Sequence, residues 1–101
     1  MTEAQLQSMV LDCARWAGYL AYHTHDSRRS RPGFPDLVLV HTTTGRLIFA
    51  ELKSDKGRIR PEQDVWLQHL GRLHEAYLWR PVHWQTGVIR KVLTSGMRAA
   101  A

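Results

Sequence analysis

The chain has 101 residues, 44% of them hydrophobic and 23% charged, which gives room for a single domain spanning 1–101 on one core and excludes wholesale disorder. Its longest apolar runs, 37–40 and 47–52, stop far short of the ~20 residues of a membrane span, residues 1–5 lack an export pattern, and a lone cysteine, Cys13, excludes an internal disulfide or a cysteine-built zinc site. A reducing cytoplasm is the expected setting. Fourteen basic against nine acidic residues leave a net charge of +5, and eleven of the basic ones are arginine, whose planar fork suits phosphate and favours a polyanionic partner.

In chain order, residues 3–17 predict an amphipathic helix with Leu6, Met9, Val10, Cys13, Trp16 and Ala17 as its apolar stripe and Gly18 as its stop. Residues 19–25 read as a strand, and the arginine-rich stretch 26–33 as a polar loop. Two apolar segments, 36–41 and 46–53, flank Thr42-Thr43-Thr44-Gly45 and signal a hairpin. A second basic loop, Lys56-Gly57-Arg58-Ile59-Arg60, leads to Pro61, which suits the first position of a helix running to about residue 74. Trp66, Leu70 and Leu73, with Val65 or Leu67, would be its buried stripe. A short strand over 76–79 ends at Pro81, and a last helix falls within 85–93.

The order is therefore α-β-β-β-α-β-α. Both faces of the hairpin are apolar, with Val38, Val40, Leu47 and Phe49 on one and Leu37, Leu39, Ile48 and Leu52 on the other. Such a sheet needs covering on both sides, which predicts a small α/β sandwich with helices on both faces. The third strand, the second long helix and the last strand would make a parallel crossover.

Three charges interrupt this otherwise apolar hairpin. Asp36 opens one strand, and Glu51 and Lys53 close the other on one face, with Leu52 pointing to the opposite one. With Thr44-Gly45 as a two-residue turn, cross-strand partners have numbers summing to 89. Asp36 then lies opposite Lys53 and diagonal to Glu51, within about 5–8 Å on that face. Two carboxylates so close repel each other, and a hard divalent cation such as Mg²⁺ or Mn²⁺ relieves the repulsion. With a lysine beside them, the set can orient and help ionise water and neutralise a phosphate oxygen, the needs of phosphodiester hydrolysis.

Gly33-Phe34-Pro35-Asp36, Glu51-Leu52-Lys53 and Gln63 together resemble the motifs of the PD-(D/E)xK nucleases, most closely their compact VRR-NUC branch, known from phage, over about residues 3–84. The resemblance implies a restriction-endonuclease-like core with a mixed sheet. It also implies Asp36, Glu51 and the backbone carbonyl of Leu52 as metal ligands, Lys53 as the catalytic lysine, and Gln63 as a supporting residue. Glu3, on the first helix one turn from Gln7, corresponds to a glutamate that completes the metal environment. A metal-dependent DNA endonuclease is the function so implied, acting as a homodimer on branched DNA such as Holliday junctions or flaps.

Arg28, Arg29 and Arg31 precede Asp36, and Lys56, Arg58 and Arg60 follow Lys53, so both basic loops leave the charged end of the strand pair. That placement fits contacts to a phosphate backbone without base readout. His23 and His25 share a strand face but lack a third metal ligand. A non-catalytic DNA-binding module on the same fold is the alternative reading.

Overall fold

The structure, a computed structural model, describes residues 1–24 and 31–95. Helix α1 (Glu3–Trp16) starts where Thr2 and Gln5 cap each other, Thr2 N–H donating to Gln5 Oε1 at 2.7 Å and Gln5 N–H to Thr2 Oγ1 at 3.1 Å. Leu6, Val10, Leu11 and Ala14 form its buried side. The stripe is turned from the expected one: Met9 is 40% exposed and Trp16 77%. At 3.6 residues per turn these two lie about 60–80° round the helix from Leu6, past the edge of the contact.

Strand β1 (Tyr19–His23), which stops before Thr24, is followed by β2 (Leu37–His41), β3 (Leu47–Leu52), helix α2 (Pro61–Leu70) and β4 (Glu75–Trp79). One sheet holds them in the order β1-β2-β3-β4, the first two pairings antiparallel and the last parallel. The expected mixed sheet and parallel crossover are both present.

The hairpin register differs from expectation. Val40 pairs with Leu47 and Leu37 with Ala50, so partner numbers sum to 87 rather than 89. Residues 42–45 form a four-residue turn because the His41 ring organises it. Thr43 and Thr44 N–H both donate to His41 Nδ1 at 3.2 Å, and His41 Nε2 lies 3.1 Å from Ala17 O. A shift of two residues preserves the alternation of faces, so every side chain keeps its side of the sheet.

On one side Leu37, Leu39, Ile48, Ala50, Leu52 and Trp79 pack with Leu6 and Val10 of α1 into the core. On the other, Phe49 and Glu51 look toward α2. Among α2 residues only Gln63 is buried; Val65 is 55% exposed, and Leu73, beyond the end of the helix, is 89% exposed. The anticipated apolar stripe of this helix is thus mostly an exposed or half-buried flank, with Trp66, Leu67 and Leu70 half-buried. β4 ends at Trp79 as expected, and Pro81 opens a helix: α3 (Pro81–Gln85) and α4 (Val88–Thr94) stand where one helix was expected. Ile89 and Leu93 of α4 complete the core. Among the described residues no helix is long and apolar enough to cross a membrane.

Candidate active site

Continuing the β2–β3 register by one residue sets Asp36 across from Glu51. Asp36 Oδ2 accepts a hydrogen bond from Leu52 N–H at 2.8 Å, which fixes the carboxylate to the last residue of β3. Alternation sends Leu52 into the core and leaves Glu51 and Lys53 on the α2 side. The three charges that broke the hairpin pattern therefore meet, with Glu51 rather than Lys53 facing Asp36 as the corrected register requires.

Glu51 is 2% exposed. Its Oε2 accepts from Gln63 Nε2 at 2.8 Å and lies 3.7 Å from Lys53 Nζ. Its Oε1 is buried with no hydrogen-bond partner among the described residues. Gln63 is held from its other end, because Arg60 N–H donates to its Oε1 at 2.9 Å at the start of α2. That fixes the amide's orientation, with the NH₂ group aimed at the carboxylate.

The segment before Asp36 is clipped to the same helical turn. Gly33 has φ +95°, and a Cβ there would stand 2.5 Å from the backbone carbon and oxygen of Glu62 and 2.9 Å from Gln63 N. Only glycine permits that approach. Trp66 Nε1–H donates to Pro32 O at 3.2 Å, and Phe34 stands edge-on to Trp66 and Phe49, with centroids 5.2 and 6.1 Å away. One contact region thus sets both Asp36 and Gln63.

Burial pushes the Glu51 carboxyl up to about 8, reinforced by the Asp36 charge and opposed by Lys53. A buried, electron-rich oxygen without a donor, beside a second carboxylate, is the environment a hard cation satisfies. Asp36, Glu51 and the Leu52 carbonyl, which leaves the strand on the same edge as the Leu52 N–H bound to Asp36, fit as its oxygen ligands.

Glu3 lies exposed at the start of α1. Among the described residues no group of three His, Cys, Asp or Glu side chains is arranged to hold a metal ion, so Glu3 is not gathered with Asp36 and Glu51. Arg31, Lys56, Arg58 and Arg60 are exposed on the segments before β2 and after β3. Arg28, Arg29 and His25 lie outside the described residues, while His23 is half-buried on β1. The sequence reading missed Arg80, whose guanidinium binds the loop after Lys53; a lone arginine after a strand carries no motif that would have marked it.

The VRR-NUC domain family model matches residues 1–79, from the first residue to the end of β4. No curated protein matches the chain, and no solved structure does.

Proposed function

The chain belongs to the VRR-NUC domain family of PD-(D/E)xK nuclease-type domains, and on that premise we propose that it is a divalent-metal-dependent DNA endonuclease. The observation that carries this reading is the buried Glu51 carboxyl with an unpartnered Oε1 beside Asp36. Mg²⁺ or Mn²⁺, when bound, supplies positive charge that neutralises the paired carboxylates and polarises water and phosphate. Asp36 and Glu51, with the Leu52 carbonyl, hold the cation. Gln63 holds Glu51 in place through its oriented amide. Lys53, its side chain 13% exposed and its Nζ 3.7 Å from Glu51 Oε2, places a proton-bearing cation where charge develops on the phosphate during attack by water. Arg31, before β2, and Lys56, Arg58 and Arg60, after β3, grip phosphates, and Arg28 and Arg29 add positive charge to that contact.

A domain of this size covers little duplex and presents one Asp36–Glu51–Lys53 set. Two copies acting on opposite strands, selective for branched DNA, complete the proposal. Labelled four-way junction, flap and duplex DNA incubated with Mg²⁺, Mn²⁺ or EDTA provide the test, alongside light scattering for the dimer. Metal-dependent cutting that falls at least about 100-fold, to a small residual rate, in Lys53→Ala and Asp36→Ala is the expected result. DNA binding without cutting, or cutting that keeps its rate in both variants, assigns the chain to a non-catalytic binding module or to other residues.

A further inference from the structure

Arg80 follows β4 immediately, one residue beyond the family match. Its Nη1 donates to Ser54 O at 2.7 Å and to Gly57 O at 2.6 Å, with Asp55 O 3.4 Å away. These oxygens belong to the turn that leaves the active-site end of β3, a turn closed on itself by Gly57 N–H donating to Ser54 O at 3.2 Å. A fixed positive group is therefore seated among converging carbonyls of a connecting loop. The backbone at Arg80 is anchored in its turn, its N–H donating to His83 Nδ1 at 2.9 Å as α3 begins. Removing the guanidinium strands half-buried carbonyls that water reaches poorly, which drives the turn to rearrange.

Rearrangement of this turn would reach Lys53. A Cβ built on Gly57 would stand 3.6 Å from Lys53 Cδ and 3.0 Å from Ser54 Oγ, so the Gly57 backbone lies along the Lys53 stem. That stem carries the ammonium 3.7 Å from Glu51 Oε2. We infer that Arg80 is a positioning residue: by holding the turn 54–57 it sets where the Lys53 ammonium stands against Glu51. The inference rests on the endonuclease reading for its catalytic consequence, and it adds a residue from outside the matched span to the machinery.

The test uses Arg80→Met, which keeps an unbranched stem without the charge, Arg80→Lys, which restores a cation able to donate to several carbonyls, Lys53→Met, and the Arg80→Met/Lys53→Met pair. With the DNA the wild type cuts, Arg80→Met should lower kcat about 10–100-fold, as misplacement of a reacting group does, with a smaller rise in KM. Arg80→Lys should recover part of that loss. The double variant should be no slower than Lys53→Met, because Arg80 acts through Lys53. Independently of activity, trypsin should cut after Lys56 and Arg58 about tenfold faster in Arg80→Met, relative to cutting after the exposed Arg72. An unchanged kcat in Arg80→Met, fully additive losses in the double variant, or unaltered loop proteolysis overturns the proposal. A wild type that cuts no DNA overturns the endonuclease reading and with it the catalytic role of Arg80; a wild type that cuts beside an unaffected Arg80→Met overturns the role of Arg80 alone.

Discussion

Gly33→Ala isolates the contact on which the site's geometry depends. The backbone there has φ +95°, and a non-glycine residue in the left-handed region costs about 1–2 kcal/mol. Gly45 has φ +74° with nothing within 4 Å of a built Cβ, so Gly45→Ala should show that backbone cost alone. At Gly33 the added carbon would also sit 2.5 Å from the Glu62 carbonyl carbon and oxygen, about 1 Å inside ordinary contact. The loop and the first turn of α2 must part by that amount, adding about 1–3 kcal/mol of overpacking. Weakening of the Trp66–Pro32 hydrogen bond adds about 1 kcal/mol. The sum is about 3–6 kcal/mol against about 1–2 for Gly45→Ala, a large share of a total stability of about 5–15 kcal/mol. Thermal unfolding followed by circular dichroism should place Gly33→Ala roughly 10–20 °C below Gly45→Ala. Where both remain folded, DNA cleavage by Gly33→Ala should also fall at least about tenfold, since Asp36 and Gln63 flank the displaced contact. Equal stabilities for the two variants would refute the close approach of residue 33 to α2.

Four further outcomes follow from the same geometry. Without divalent ions the raised Glu51 value of about 8, against an ordinary 4.5, means that the native chain keeps a proton which the unfolded chain has lost between those limits. The stability this group contributes is full below about pH 4.5 and declines as pH rises toward 8, by up to about 1.4 kcal/mol per pH unit. Urea unfolding in EDTA across that range should show the decline, and Glu51→Gln should flatten it. Gln63→Ala removes the donor to Glu51 Oε2 and the acceptor for Arg60 N–H, and should cost about 1.5–3 kcal/mol in urea unfolding. Arg46→Met breaks the bidentate pair with Glu75 at 2.6 and 2.7 Å and the bond to Val92 O at 2.8 Å. It should cost about 2–3 kcal/mol yet leave metal titrations unchanged, because that network ties the opposite end of β3. Lys56→Ala and Arg58→Ala should each reduce the slope of log K for DNA against log salt by about 0.9 per lost phosphate contact.

The convergence of Asp36, Glu51 and Lys53 was legible in the sequence because face alternation in a strand is a rigid rule. Parity survived the two-residue difference in register, so the same side chains met although the turn was longer. The turn itself was not legible, because His41 organises it through a side chain whose capture of two amides carries no local signature. Burial on α1 and α2 was read less well, since apolar spacing gives a wide arc and only tertiary contact selects which part is covered. Trp16 and Leu73 mark that gap. Gln63 was identified through resemblance rather than physics, and its burial beside Glu51 gives the physical reason for it. The work of Gly33 and Arg80 lies in contacts across 29 and 23 residues (33 to 62, and 57 to 80), beyond the reach of any local pattern.

The central claim is a cation held between two carboxylates, and Mn²⁺ anomalous diffraction from crystals of the wild type and of Glu51→Gln tests it most directly. The account predicts one strong peak within bonding distance of both Asp36 and Glu51 in the wild type, lost in the variant. A peak elsewhere, or none at a Mn²⁺ concentration that supports DNA cleavage, would contradict it.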